Sequence, residues 1–471
     1  EAQQAYQQAY ERTGGTWTGV NAATLALVAG QPDVAHRLAR AVQDRLQSAP
    51  PSASGDFWHQ ATCAEVALLL GQLDQSLAHY QAARAIAPRA WGDLHAARRN
   101  AKALLEAQSL PTERLDAAFP RVCVAVFTGH TVDAPGRSAP RFPVAEEAVV
   151  RQAIEQAVAD HDVTIGIAGA ACGADILFLE ALQRRGCDTF VVLPHRVEAF
   201  RRLSVTEIGG PSWGPRFDAV IAASREVTVL SDQPGEDLGY QFQGAVMAGL
   251  ARLKAQAVGG EVIGLACWDG APGGVGGTAT VTQEWVRADL EVHRLPWQST
   301  PGGRVRAFGV SPLQHDLRSA NDQRVVSVLF ADAVGFSKLG ELQVKTFVEA
   351  FWGRVAALLQ RLPAGAVASA NTWGDGLFVV CLDTVQAAGL AVELAGMVAR
   401  TDWAALGLPA HTNLRAALHA GPAYEIVDPI TQRPGFAGTH ISRAARIEPV
   451  TPPGQVYVSE AYAALLALDD R

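Results

Sequence analysis

The chain predicts three fold classes in succession: all-α helical repeats, then a doubly wound parallel α/β sheet, then an α+β, ferredoxin-like domain. Three observations predict this. The first hundred or so residues repeat themselves at an offset of about forty. From Arg121 onward, strand-like apolar runs alternate with helical ones. After Arg324, two short β-type runs each carry an Asp in a turn. The length of 471 residues itself sets a prior of about three domains.

Residues 1–111 are rich in Ala, Leu and Gln, with apolar residues at helical spacing. Trp17 through Gly30-Gln-Pro-Asp33 matches Trp58 through Gly71-Gln-Leu-Asp74, and each unit reads as helix, Gly turn, helix. Such an array serves as a packing scaffold or as a surface for a protein partner. Residues 121–297 form the second domain. Strands are expected at Arg121–Phe127, Val163–Ala168 and Thr189–Leu193, with helices at Glu146–Ala159 and Ile176–Arg184. The turns Thr128-Gly129-His130 and Gly169 through Gly173-Ala174-Asp175 follow strand ends, where such sheets bind ligands. Glycines there let backbone amides approach a phosphate at a helix start. The same turns also suit plain strand–helix packing, with Asp175 as a cap. Gly270–Gly277 is read as a loop without function, and 298–323 as a Pro-, Gly- and Arg-rich linker.

The third domain spans 324–471. Strand Val325–Phe330, a helix from Gly335 through Leu362, a hairpin of Ala366–Thr372 and Leu377–Leu382, and a helix Gln386–Ala399 come first. Strand Leu414–Gly421, helix Thr439–Ile447 and strand Gln455–Val458 follow. Asp332 and Asp375 sit in turns bounded by apolar β-type residues, and two carboxylates so held can bind Mg²⁺ or Mn²⁺ and leave positions open for a triphosphate.

Composition excludes some classes. Net charge is −8, without a long run of like charge, which argues against a nucleic-acid partner. No apolar run approaches the ~20 residues of a membrane helix, and no signal-peptide pattern opens the chain. The six scattered cysteines, with no Cys-x-x-Cys pair, read as reduced core residues of a cytoplasmic protein. The start at Glu1 rather than Met leads us to expect a missing N-terminus.

Three stretches resemble the catalytic domain of class III nucleotide cyclases: Val328–Phe336, Asn371–Val380, and Gly438-Thr-His-Ile-Ser442-Arg443-Ala-Ala-Arg446-Ile-Glu-Pro449. The resemblance implies that Asp332 and Asp375 hold the metals. It implies phosphate contacts from the turn Ala333-Val334-Gly335-Phe336, with Phe330 beside it. Arg446 would stabilise the transition state, and Ser442 replaces the Asn that usually orients the ribose. It further implies a homodimer in which one subunit supplies the Asp pair and the other the Arg helix. Arg443 points elsewhere on that helix, towards a subunit contact.

The base-reading positions depart from adenylate cyclases: Asn371 stands for the Lys, and Gly435, with Phe436 beside it, for the Asp. The helix and its sequel Thr451–Glu460 look like the pyrimidine cyclases of Pycsar antiphage defence, which favours UTP over ATP, CTP or GTP as substrate. A phosphate-binding Lys on a further strand would lie beyond Arg471, so a C-terminal truncation is expected. The 121–297 segment is similar to the SLOG superfamily through Thr128-Gly129-His130, the Gly169–Asp175 turn, Leu193-Pro194 and Phe200–Val205, which implies sensing of a nucleotide derivative. The catalytic Arg and Glu of SLOG-type hydrolases find no counterpart. The first segment resembles tetratricopeptide-like repeats, and Gly19–Leu25 is similar to the repeat region of the TRAF-binding domain of stress-signalling kinases.

Overall fold

The computed structural model describes residues 1–48, 55–233, 237–272, 274, 276–296, 302–306 and 322–469. It divides into two compact units, Glu1–Val122 with Ala255–Glu261, and Cys123–Lys254 with Val262–Arg471. No helix among the described residues is long and apolar enough to cross a membrane.

The first unit holds helices α1 (Ala2–Thr13), α2 (Thr16–Val28), α3 (Pro32–Gln47), α4 (Phe57–Leu69), α5 (Leu73–Ile86) and α6 (Trp91–Ala107). Helix α2 packs on α3, and α4 on α5. Both pairs are joined in the same way. Gly30 and Gly71 take φ of +74° and +77°, a conformation glycine adopts without a Cβ penalty. In each, the next residue closes the helix end, with Gln31 N–H donating to Ala26 O (2.9 Å) and Gln72 N–H to Ala67 O (2.8 Å). The core mixes alanines such as Ala22, Ala23, Ala39, Ala64 and Ala97 with leucines such as Leu68, Leu104 and Leu105, and the small side chains let the helices approach closely.

The α/β part of the second unit contains β1 (Cys123–Gly129), α7 (Glu147–Asp160), β2 (Val163–Ala168), α8 (Ala174–Arg184), β3 (Asp188–Leu193), the short α9 (Val197–Phe200) and α10 (Glu207–Gly209), α11 (Trp213–Ala223), β4 (Glu226–Val229), α12 (Asp237–Val258), β5 (Glu261–Cys267), α13 (Thr278–Arg287), β6 (Val292–Arg294) and β7 (Gly303–Arg304). The strand order is β4-β3-β2-β1-β5-β6-β7, so the winding reverses between β1 and β5. Its central strands are nearly continuous apolar runs because helices cover both faces. Strand β7 runs antiparallel to β6 and lies inside the stretch read as linker, whose last residue, Gln323, already belongs to the next strand; 298–301 and 307–321 fall outside the described residues.

The remaining part contains β8 (Gln323–Val334), α14 (Glu341–Phe347), α15 (Gly353–Arg361), β9 (Val367–Trp373), β10 (Gly376–Cys381), α16 (Thr384–Arg400), β11 (Asn413–Val427), β12 (Pro434–Ala437), α17 (Thr439–Ile447), β13 (Val456–Val458) and α18 (Glu460–Asp469). The sheet order is β12-β11-β8-β10-β9, with β13 added parallel to β11. The single helix expected from Gly335 to Leu362 is interrupted. A 3-10 turn at Phe336–Lys338 ends at Leu339-Gly340 before α14, and a π-helical turn at Val348–Trp352 separates α14 from α15. Strand β11 runs six residues past the expected Gly421, because it pairs with β12 beyond that point.

Candidate functional site

Strand register builds the first site. Asp332 of β8 lies opposite Gly376 of β10 on one side and opposite Arg415 of β11 on the other. Trp373 pairs with Gly376, so Gly374 and Asp375 form a two-residue hairpin turn. Gly374 supplies the positive φ (+61°), and its carbonyl accepts from Trp352 Nε1 (3.0 Å). Ala333 N–H donates to Asp375 O at 3.0 Å and fastens this turn to β8. That bond corrects one expectation: the Ala333 amide is committed to the turn and is not on offer to a phosphate. Gly335 takes φ +85° at the start of the 3-10 turn, with Val334 at the end of β8 and Phe336 just beyond.

The electrostatics follow from this closeness. Burial raises the Asp332 carboxyl above its usual range, and the Asp375 charge raises it further. Arg415 opposes the rise, its Nη2 donating to Asp332 Oδ2 at 2.9 Å. Arg415 Nε stands 2.5 Å from Glu448 Oε1, an ion pair without hydrogen-bond geometry. Burial also raises Glu448, with Arg415 opposing and the charges of Asp332 and Asp375 adding to the rise. Two carboxylates that repel each other fit a divalent cation, which would remove the repulsion. Among the described residues no group of three His, Cys, Asp or Glu side chains is arranged to hold a metal. Oxygens of a ligand, or water, would fill the remaining positions on such an ion.

Arg415 and Glu448 were missed in the sequence. Nothing in their spacing marks them; only the pairing of β8 with β11 brings Arg415 beside Asp332. Replacing Arg415 by Ala is expected to raise the Asp332 carboxyl further and to lower product formation by about 10–100-fold, the usual cost of removing a group that supports metal ligands. Steady-state rates against pH would check this, because the acid limb of the profile should move to higher pH.

The other residues of the cyclase resemblance lie apart from this cluster. The Phe330 ring is tilted against Phe378 (5.0 Å between centroids, 51° between planes), and Phe436 of β12 packs against the same small core. Gly435 lies opposite Ile426 at the edge of the sheet. Asn371, on the edge strand β9, is exposed, and its side-chain oxygen accepts from Thr372 N–H (3.0 Å). Ser442 and Arg446, both exposed, line a cavity of about 140 Å³ with Leu230, Ser231 and Asp232 of the α/β part. Arg443 donates to Leu230 O at 2.6 Å and to Val229 O at 3.3 Å. Its contact is thus with its own chain.

A second cavity, of about 360 Å³, opens at the carboxyl ends of the α/β strands where the winding reverses. Thr128, Gly129, His130, Gly169 and Asp175 line it; Gly173 and Ala174 do not. Gly173 has φ +117°, and a Cβ there would meet His130 O and Val132 N at 2.7 Å. Ala174 N–H donates to His130 O (3.0 Å). These two residues lock the β1 loop onto the start of α8. Asp175 borders the cavity, yet its Oδ1 is shut away without a partner. Burial pushes this carboxyl up to about 7, against amide donors from Ala171 and Gly129. His130 is lowered by burial, with Asp269 opposing at 3.2 Å. Asp269 is held well below the usual carboxylate range, first by Arg141, at 2.5 and 2.7 Å. Arg141, Tyr240 and Gln243 also line this cavity, as do Gly274, Gly276 and Gly277 of the loop read as functionless.

No protein-family model matches the chain. It is 30% identical over 137 residues to the pH-sensitive adenylate cyclase of Mycobacterium tuberculosis, a match covering 29% of this chain and 31% of that protein. The chain therefore spans less than a third of the length of this curated relative. Among solved structures, the monomeric guanylyl cyclase domain of the RhoGC fusion protein from the aquatic fungus Blastocladiella emersonii is 20% identical. That likeness covers 30% of this chain and 82% of the other, with a TM-score of 0.27. The adenylyl cyclase CyaB from P. aeruginosa is 17% identical over 31% of this chain and 81% of its own, with a TM-score of 0.27. At such identities and TM-scores neither structure adds weight to a reading of activity. What the sequence match supports is a class III cyclase-like stretch in about three-tenths of the chain.

Proposed function

We propose that the chain is a class III nucleotide cyclase, converting a nucleoside triphosphate to a 3′,5′-cyclic nucleotide and pyrophosphate. The observation that carries this is the Asp332–Asp375 pair, fixed by the register of three strands and flanked by Arg415. Mg²⁺ or Mn²⁺ bound to the two carboxylates would supply Lewis acidity to the triphosphate. Arg415 is placed to meet negative charge next to the pair. Arg446 of a second copy would meet charge developing on the α-phosphate, so the working form is a homodimer through the cyclase domain. Asn371 is neutral and carries both a donor and an acceptor, which favours uracil and hence UTP. The mycobacterial relative is named for adenylate, which makes ATP the second candidate. A role in antiphage signalling rests on the Pycsar-like motifs alone. The test is incubation with Mg²⁺ or Mn²⁺ and each of ATP, GTP, CTP and UTP, followed by mass spectrometry. A cyclic nucleotide from one of them supports the reading. No product from any, with an Asp332→Ala control indistinguishable, counts against it.

We also infer that the α/β cavity senses a nucleotide derivative, and that the helical unit is a docking surface for a protein. The observation behind the first is the cavity at the point where the winding reverses, bordered by the Asp175 carboxyl. An ADP-ribose-type ligand is expected to bind the whole protein in calorimetry. Asp175→Asn, which trades an acceptor for a donor, should weaken binding by on the order of tenfold, the worth of about one hydrogen bond. Equal affinity in the variant would remove Asp175 from the site.

A further inference from the structure

Helix α12 is in contact with two different things. Tyr240, Gln243, Gly244 and Met247, at helical spacing, line the 360 Å³ cavity. Phe242, Gly249 and Arg252 lie on another face and meet the cyclase-like domain. The Phe242 ring is edge-on to His440 of α17, 5.7 Å between centroids. Gly249 lies so close to α18 that a Cβ would run into the Ala464 carbonyl. Arg252 Nη1 donates to Ala467 O (3.1 Å) and Leu468 O (2.9 Å), satisfying carbonyls at the α18 C-terminus. The end of β4 adds a further set of contacts. Arg443 of α17 donates to the Leu230 and Val229 carbonyls, and Thr228 Oγ1 donates to Glu460 Oε2 at 3.2 Å. Ser442 and Arg446 face the Leu230–Asp232 segment.

We propose that the α/β domain is an intramolecular clamp on α17 and α18 that slows turnover by the cyclase domain. This rests on the cyclase reading, and adds its regulation. Turnover in that reading needs the exposed face of α17, with Ser442 and Arg446, turned to a triphosphate held by a second copy. Here that face borders the chain's own Ser231 and Asp232, and the neighbouring Arg443 is fixed by main-chain carbonyls that it would have to leave for the helix to move. Nine residues long, α17 has little independent stability, so its packing on β11 and β8 and its contacts with Phe242 and the end of β4 govern its position. The cavity on another face of α12 puts any ligand there within one helix diameter, roughly 10 Å, of the clamp.

The test uses the full chain with Thr228→Cys and Glu460→Cys, whose native side chains already touch and which lie outside the Asp332 cluster. Oxidation should join them, as read by mass. The joined protein should form cyclic nucleotide at least about tenfold more slowly than after reductant, within the range of ordinary regulatory coupling. Wild type and each single variant should not respond to reductant. Equal rates joined and reduced overturn the clamp; where the cysteines do not join, amide exchange across 439–447 decides. Phe242→Leu gives a second readout that needs no activity: amide exchange across 439–447 should be faster than in wild type. If no form makes product, the cyclase reading fails. Exchange then still decides whether α17 is held, and an unchanged rate across 439–447 overturns the clamp.

Discussion

Asp332→Ala is expected to remove cyclic nucleotide formation, with a fall on the order of 10²–10³ or more, the scale seen when a group that stabilises transition-state charge is deleted. Asp332 lies in β8 opposite Gly376, next to the hairpin turn that carries Asp375, and Asp375 alone could not fix a cation between sheet and substrate. The variant leaves Arg415 and Glu448 to pair with each other, so it should not unfold the protein. Removal of the Asp332 charge even relieves its repulsion with Asp375. Asp332→Asn separates charge from shape: it keeps an acceptor for Arg415 but gives up the anionic ligand, and it should be nearly as inactive as the Ala variant. Mass spectrometry of product, with thermal melts alongside, measures both. Product at wild-type rate from either variant would sink the metal-pair assignment.

Acidification below about pH 6.5 should destabilise the cyclase domain through one buried pair. His419 and His440 stack at 5.2 Å with an interplanar angle of 14°, and their Nε2 and Nδ1 atoms lie 2.9 Å apart. The other ring nitrogen of His419 meets Ser459 Oγ at 2.7 Å. Burial, with the nearby charge of Arg443, pushes the two imidazoles down to about 3 and about 4, His440 adding to the fall at His419 and Asp232 opposing it at His440. In the unfolded chain both return to ~6.5. The unfolded state therefore binds more protons than the folded one between these values. Stability is full above pH ~6.5 and falls as pH drops towards 4, by up to ~1.4 kcal/mol per pH unit for each histidine. Asp175 and Glu65, raised to about 7 by burial, act in the opposite sense and lose stability as pH rises from ~4 to 7. Denaturant titrations at pH 7, 6 and 5 on wild type and His419→Gln isolate the pair. The difference between the two should shrink steadily with acidity, and a difference independent of pH would refute the account.

Asp332 and Asp375 were legible in the sequence because each follows an apolar β-type run and a Trp-Gly-Asp-Gly turn admits few conformations, but Asp332, expected in a turn, lies within β8, which continues to Val334. The α/β alternation was legible for the same reason: buried parallel strands are continuous apolar runs. Arg415 and Glu448 were not legible, since strand register is set by long-range packing that local spacing does not encode. The helix breaks at Leu339-Gly340 and at the π-helical turn were hidden by an apolar periodicity that continues through them. The contacts of Arg443 with Val229 and Leu230 join residues more than two hundred apart in sequence, and no local pattern reports such a pairing.

From Gln241 to Leu250 every residue of α12 is buried, so the helix has no solvent-facing stripe there. A helix enclosed on all sides cannot open its amides without dismantling what surrounds it. These ten peptide groups therefore belong to the slowest-exchanging set in the molecule, and local fraying gives their protons no route out. The α/β sheet and the cyclase-like sheet both pack their helices against this one rod. The face that carries Phe242, Gly249 and Arg252 meets the cyclase-like helices, so a lesion there loosens those helices first.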